Sequence, residues 1–129
     1  MRKVRDLMTP NPHTIGEDEL VSVASRRMRE LGVRHLPVVS RTSVVGLLSE
    51  REVCLAEALE PHGATPERVG DMMVRDPYVV DGAEDLAATL RVMAQRKLGS
   101  VIVTELGKVA GIFTSIDALS ALADRLEMT

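Results

Sequence analysis

Two short segments of this sequence place a hydroxyl residue and an acidic residue three positions apart, directly after an apolar run. They are TSID at residues 114–117 and SERE at residues 49–52. A hydroxyl at a helix N-cap with an acid three residues later forms a capping box, which stabilises a helix by about 1 kcal/mol without any ligand. The same helix N-terminus carries free N–H groups and a partial positive charge that attract anions. These residues alone do not decide between a helix-capping role and a ligand-binding role.

The two segments occupy the same position in an internal repeat. An ungapped shift of 65 residues carries nearly all of the first half of the chain onto the second. The residue pairs that coincide include Pro12 with Pro77, Met28 with Met93, and Gly46 with Gly111. We therefore expect one unit of about sixty residues to fold twice.

Each repeat is predicted to contain a turn, a strand, a helix, a β-hairpin and a closing helix. These elements are predicted at residues 4–8, 13–15, 17–31 and 36–48, and at 69–73, 78–80, 82–97 and 101–113, with the closing helices after 49 and 114. Gly16 and Asp81 are predicted N-caps of the longer helices, because each has a glutamate three residues later. The fold class is thus α+β, with two tandem repeats packed sheet to sheet in pseudo-twofold symmetry.

The composition of the chain argues against two kinds of partner, nucleic acid and membrane. The net charge is −3 with both signs scattered, so we expect no nucleic-acid partner. No apolar run approaches the roughly 18 residues of a membrane span, and the N-terminus lacks a signal-peptide core. We expect a cytoplasmic protein with no membrane partner. The single Cys54 is predicted to be a small core residue on an apolar helix face.

The sequence shows no pattern that proposes a reaction. Its three histidines and one cysteine lack metal-ligand spacing, and no catalytic triad order or phosphate-binding glycine loop is present. We therefore predict that the protein is not an enzyme and needs no metal or cofactor.

The repeated strings resemble a tandem pair of CBS domains, the cystathionine-β-synthase-like or Bateman module. They are DLMTPNPHTI, ELGVRHLPVV and VVGLLSERE in the first repeat, and DMMVRDPYVV, KLGSVIVT and VAGIFTSID in the second. The resemblance covers essentially the whole chain. It implies a first CBS repeat at residues 1–60, a linker at 61–68 and a second repeat at 69–129.

The resemblance also implies a non-catalytic sensor that binds AMP, ADP, ATP, S-adenosylmethionine or NAD in the cleft between the repeats. A homodimer is implied as well, and the regulatory output passes through self-association or a separate effector protein. A second hypothesis remains open, because capping alone explains both segments: the chain is a structural dimerisation module that binds no ligand.

The resemblance further implies the residues of the site. In the first cleft, Thr114 bonds a phosphate and Asp117 accepts from the ribose hydroxyls, with walls from Thr9, Pro12, His13, Thr14, Arg34, His35 and Pro37. The second cleft is formed by Val79, Ser100, Ser49 and Glu52. Glutamate stands there where the family pattern has aspartate, and its extra methylene displaces the carboxylate. We therefore predict that the second cleft binds more weakly or stays empty.

Overall fold

A computed structural model describes residues 2–60 and 68–128 of the chain. The chain divides into two compact units. The first-repeat unit is His13–Pro77, and the second-repeat unit combines Met1–Pro12 with Tyr78–Thr129. Both contain helices and a sheet, so the predicted α+β class is confirmed. Residues 61–67 of the predicted linker lie outside the described residues, and the predicted repeat boundaries stay a prediction.

The elements follow the order that the repeat predicts. They are a 3-10 turn (Val4–Asp6), β1 (Thr9–Pro10), β2 (Ile15–Gly16), α1 (Val21–Leu31), β3 (His35–Ser40), β4 (Ser43–Ser49), α2 (Glu50–Leu59), α3 (Val69–Met72), β5 (Val79–Asp81), α4 (Leu86–Arg96), β6 (Ser100–Glu105), β7 (Lys108–Thr114) and α5 (Ser115–Glu127). The first-repeat unit has the sheet order β2-β3-β4, and the second-repeat unit has β1-β7-β6-β5. The antiparallel pairs β3/β4 and β6/β7 confirm both predicted hairpins.

Each sheet receives a short segment from the beginning of the other repeat. In the second-repeat unit, β1 pairs antiparallel with β7. In the first-repeat unit, Val74 lies beside β4 and forms two backbone hydrogen bonds with Leu47 of that strand. The contact is so close that a Cβ at Gly46 would lie 2.8 Å from the Val74 carbonyl, and one at Gly111 would lie 2.9 Å from the Thr9 carbonyl. Only glycine fits at these two equivalent positions.

The predicted helix starts after Gly16 and Asp81 are wrong. α1 begins at Val21 and α4 at Leu86, so a turn replaces the first helical residues in both repeats. The carbonyls of these turns accept hydrogen bonds from the entering segments. The donor and acceptor pairs are Val69 to Glu19, Gly70 to Glu17, Val4 to Glu84, and Arg5 to Gly82. A longer helix would need the same carbonyls for its own i→i+4 bonds.

Each unit has its own aliphatic core. Met28 lies in the core of the first-repeat unit and Met93 in that of the second-repeat unit, as their helical spacing predicts. The prediction for Cys54 is wrong, because its side chain is exposed. Helix α2 buries Val53 and Ala56, and Cys54, the residue directly after Val53, points about 100° away from Val53 around the helix axis. Within residues 2–60 and 68–128, no helix combines the length and apolar character that crossing a bilayer requires.

Candidate functional site

The junction of β7 and α5 holds a complete capping box. Thr114 is the N-cap, and its backbone N–H donates to Asp117 Oδ2 at 2.9 Å. In return, the Asp117 backbone N–H donates to Thr114 Oγ1 at 3.2 Å. The local half of the prediction is therefore confirmed: these two residues meet at the start of a 13-residue helix.

A third predicted residue reaches the same carboxylate from the other end of the sequence. Thr9 lies on β1, and its hydroxyl donates to Asp117 Oδ1 at 3.4 Å. Each Asp117 oxygen thus accepts one hydrogen bond. Because an ionised carboxylate offers about four acceptor positions, each oxygen retains capacity for one more donor. The arrangement can accept two neighbouring hydroxyl groups beside a helix N-terminus that attracts anions.

The equivalent junction in the first repeat has different chemistry. Glu52 Oε1 accepts from both the backbone N–H and the hydroxyl of Ser49, each at 2.8 Å. The Ser49 hydroxyl therefore donates to its own capping acid, whereas the Thr114 hydroxyl accepts. The residue equivalent to Thr9 is Val74, which has no hydroxyl to offer. Sequence reasoning found the glutamate and missed this valine, although the shift of 65 pairs the two positions.

His35 lies at the start of β3, opposite Ser49 in β4, and is half-buried. Burial lowers the pKa of its imidazole below the usual 6.5. The carboxylate of Glu52 opposes the shift without cancelling it, while the charge of Arg34 adds to it. The lowered pKa makes His35 neutral at neutral pH, so it can donate and accept hydrogen bonds but does not supply positive charge to an anion.

Arg34, predicted to approach phosphate, pairs with an acidic neighbour. Its Nε lies 3.6 Å from Glu50 Oε2, and both side chains are exposed. An exposed pair of this kind contributes about 0–1 kcal/mol, so Arg34 is held only weakly.

The other predicted site residues differ in accessibility. Pro37 is fully buried in β3, and Ser100 is buried with no hydrogen-bond partner for its hydroxyl within the described part of the chain. His13 and Val79 are exposed, and Pro12 and Thr14 are half-buried. The predicted clefts draw on both units, and their full membership stays a prediction.

Sequence reasoning also missed a polar cluster between α1 and α2. The buried Ser25 hydroxyl donates to Glu57 Oε1 at 3.0 Å and accepts from Arg29 Nη1 at 2.8 Å. A groove of about 400 Å³ lies alongside, lined also by Arg34, Glu50 and Cys54. Among residues 2–60 and 68–128, no three His, Cys, Asp or Glu side chains gather where they could hold a metal ion.

Comparison with known proteins identifies the family. The CBS domain pattern matches residues 4–58 and again residues 69–124. The chain belongs to the CBS domain family and contains a tandem pair of these domains. This finding confirms the resemblance that the repeated strings indicate.

Two relatives differ in how much of their length the match to this chain covers. The chain is 31% identical over 115 residues to inosine-5'-monophosphate dehydrogenase of Korarchaeum cryptofilum, covering 88% of this chain but only 22% of that protein. It is 29% identical over 121 residues to hypoxic response protein 1 of Mycobacterium tuberculosis, covering 91% of this chain and 82% of the relative.

A similar solved structure is that of CBSX2 in complex with AMP. It has a TM-score of 0.84 and 26% identity, and the match covers 96% of this chain and 98% of the other.

Proposed function

We propose that this CBS-domain pair is a non-catalytic regulatory module that binds an adenosyl ligand at the start of α5. The observation that carries the proposal is the Asp117 carboxylate, which Thr114 and Thr9 hold from two sides while each oxygen keeps an acceptor position. The AMP complex of CBSX2 supports the choice of ligand class. The ligand is AMP, ADP, ATP, S-adenosylmethionine or NAD, and it acts as a regulator, not as a required cofactor.

The proposed contacts follow from the chemistry of the junction. Asp117 accepts hydrogen bonds from the two ribose hydroxyls. The Thr114 hydroxyl and the first N–H groups of α5 bind phosphate, where the helix dipole favours negative charge. Neutral His35 contributes a hydrogen bond to the ligand, and Arg34 exchanges Glu50 for phosphate because its exposed pair is weak.

The remaining wall of the proposed cleft contains Thr9, Pro12, His13, Thr14 and Pro37. The second cleft, with Val79, Ser100, Ser49 and Glu52, is proposed to be the weaker one. The support is the Ser49–Glu52 contact, which uses both acceptor positions of Glu52 Oε1 and leaves only Oε2 for a ligand, whereas both Asp117 oxygens keep one position. Val74, the residue equivalent to Thr9, has no hydroxyl to hold the Glu52 carboxylate, and this is a second reason to expect weaker binding in this cleft. We place the protein in the cytoplasm, with a separate effector as its target.

The second candidate function is a structural dimerisation module that binds no ligand. One observation favours it: residues of the chain alone form both capping boxes, so helix capping by itself accounts for the hydroxyl and acidic residues at both junctions. The first hypothesis predicts that a nucleotide binds to the protein, and the second predicts that none does.

Calorimetric titration with the five adenosyl compounds distinguishes them. We expect at least one to bind, and Asp117→Ala to weaken that binding by roughly tenfold to a hundredfold, because hydrogen bonds to a charged group are lost. Glu52→Ala is the matched control, since it removes the capping acid from the equivalent helix. It should leave the affinity of the stronger site unchanged.

Two results would contradict the proposal. No heat from any of the five compounds would reject an adenosyl ligand. Equal weakening by both variants would show that the two acids act only as helix caps.

A further inference from the structure

The groove between α1 and α2 lies entirely within the first-repeat unit and contains neither Thr114 nor Asp117. Its volume of about 400 Å³ is within the range of small-molecule pockets, roughly 300–1,000 Å³. Met28, Val33 and Val53 form its apolar lining. Ligand pockets usually combine such a lining with a few polar groups that orient the ligand. The groove therefore has the size and the apolar surface that a small organic molecule requires.

A serine hydroxyl holds two opposite charges beside this apolar lining. Ser25, which is only 8% exposed, donates to Glu57 Oε1 at 3.0 Å and accepts from Arg29 Nη1 at 2.8 Å. Ser25 and Arg29 lie on α1 and Glu57 lies on α2, so the cluster links the two helices. No ion pair within residues 2–60 and 68–128 joins Arg29 directly to Glu57. The hydroxyl thus holds the two charges close together while each stays available to another molecule.

Both charged groups keep most of their hydrogen-bonding capacity. A guanidinium has five N–H donors, and Arg29 gives one of them to Ser25. An ionised carboxylate has about four acceptor positions, and Glu57 uses one of them for Ser25. Arg29 can therefore bind a carboxylate through two parallel hydrogen bonds, and Glu57 can accept from an ammonium group.

The charges around the groove favour a ligand that carries both signs. Arg29 and Arg34 supply two positive charges to the lining, and Glu50 and Glu57 supply two negative charges. A simple anion near Arg29 would be repelled by Glu57, and a simple cation near Glu57 would be repelled by Arg29. A zwitterion with no net charge satisfies both side chains at once.

The second repeat shows that the fold does not require this cluster. The shift of 65 carries Ser25 onto Leu90, Arg29 onto Ala94 and Glu57 onto Leu122. Apolar side chains thus occupy the same places on α4 and α5. Since polar and charged clusters seldom stabilise a fold more than apolar residues do, ligand binding explains the cluster better than folding does.

We propose that the groove binds an α-amino acid with an apolar side chain. The ligand carboxylate lies on Arg29, its ammonium group lies on Glu57, and its side chain packs against the apolar lining. An α-amino acid carries its two charged groups on one carbon, which matches two protein charges that a single hydroxyl holds together. The inference goes beyond the proposed function and does not depend on a nucleotide.

Calorimetric titration with L-leucine, L-methionine and L-phenylalanine tests the proposal. We expect at least one of them to bind. Its amide, which lacks the carboxylate, and its deaminated acid, which lacks the ammonium group, should each bind at least tenfold more weakly, because a charge-assisted contact is lost.

Cys54 provides a second measurement, because it is the only cysteine of the chain, is exposed and lines the groove. Its reaction with a chromogenic disulfide reagent should become slower as the amino acid that binds is added, and the effect should saturate. The concentration of half-maximal protection should equal the calorimetric dissociation constant.

Three variants test the assigned contacts. Arg29→Gln and Glu57→Gln should each weaken amino-acid binding by roughly tenfold or more. Arg26→Gln is the matched control, because it removes the same charge from α1 at a residue that does not line the groove. It should bind the amino acid like the unaltered protein. Circular dichroism should show all three variants folded, since the three side chains are exposed.

Three results would overturn the proposal. The first is the absence of heat and of Cys54 protection with all three amino acids. The second is equal binding of the amino acid, its amide and its deaminated acid, which would mean apolar contact alone. The third is protection of Cys54 that rises with protein concentration and ignores the amino acid, which would mean that a second copy of the chain covers the groove.

Discussion

The difference between Asp117 and Glu52 shows how one methylene changes the use of a capping acid. The longer Glu52 side chain returns far enough to accept from both the backbone and the hydroxyl of Ser49. The shorter Asp117 accepts only the backbone N–H of Thr114, and its other oxygen is open to Thr9. Glutamate therefore takes both bonds on one oxygen and leaves acceptor positions only on Oε2, whereas aspartate keeps one acceptor position on each oxygen, as two neighbouring hydroxyl groups require.

The lowered pKa of His35 predicts a pH dependence of stability. Burial lowers its pKa in the folded state, so the unfolded chain binds more protons in the window between the folded pKa and 6.5. The contribution to stability is fully present above 6.5 and is lost as pH falls through this window. We expect the free energy of unfolding, measured in urea from pH 8 to pH 5, to fall less on acidification in His35→Gln than in the unaltered protein.

The control for this measurement is His13→Gln, because the His13 side chain is exposed. It should follow the pH profile of the unaltered protein. A His35→Gln profile that coincides with that of the unaltered protein would show that His35 is not the group responsible.

Some contacts of the site follow from local chemistry, whereas others were expected only from the family resemblance, because of their distance in sequence. The Thr114–Asp117 contact spans three residues and follows from local helix chemistry. The Thr9–Asp117 contact spans 108 residues and depends on β1 joining β7. The exposure of Cys54 was missed because apolar neighbours on α2 do not reveal on their own which of them faces the core.

At the level of elements, the repeat predicted the order and both hairpins but not the exchange of segments between repeats. Local pattern marks the turns at residues 4–8 and 69–73, yet it carries no information about which sheet they join. The exchange also explains the late starts of α1 and α4, because the entering segments occupy the turn carbonyls. The type of each element could thus be predicted from the sequence, whereas its boundaries depend on tertiary contacts.

The glycines beneath the exchanged segments should be sensitive to substitution. In Gly46→Ala the new Cβ would lie 2.8 Å from the Val74 carbonyl and against the Met73 side chain. We expect a loss of about 1–3 kcal/mol in the free energy of unfolding, the usual cost of overpacking. Urea denaturation measures this loss.

Gly16→Ala is the control, since its nearest neighbour would be Glu19 Cγ at 3.6 Å, an ordinary contact. It should be close to neutral. If both substitutions cost the same, close approach of the exchanged segment does not explain the glycine at position 46.

At the scale of the whole molecule, the two repeats share a fold but differ at two equivalent places, the start of the closing helix and the outer face of that helix. In the second repeat, both oxygens of the capping acid keep an acceptor position and the last helix has an exposed apolar face. In the first repeat, one oxygen of the capping acid is fully used and a polar cluster lies along the helix. Both specialised features of the second repeat lie on α5. Ile116, 59% exposed at the start of this apolar face, is the direct neighbour of Asp117. A ligand that fixes the first turn of α5 therefore also fixes one end of this exposed apolar face, which is available for contact in the homodimer that the family resemblance implies.

This arrangement predicts that nucleotide binding and dimerisation are thermodynamically linked. AMP should strengthen dimerisation, and by reciprocity the dimer should bind AMP more tightly than the monomer by the same factor, about fivefold or more for a typical coupling. Titrations at protein concentrations above and below the dimer dissociation constant measure the effect. Leu119→Glu, which places a charge on the exposed apolar face of α5, should weaken dimerisation and bind AMP with the lower, monomer-like affinity, although Leu119 is outside the proposed ligand contacts. Leu55→Glu is the control, because Leu55 is similarly exposed but lies on α2, and this variant should retain the concentration dependence of the unaltered protein. Identical AMP affinities in monomer and dimer would mean that ligand binding at the N-terminus of α5 is not transmitted through the apolar face of that helix.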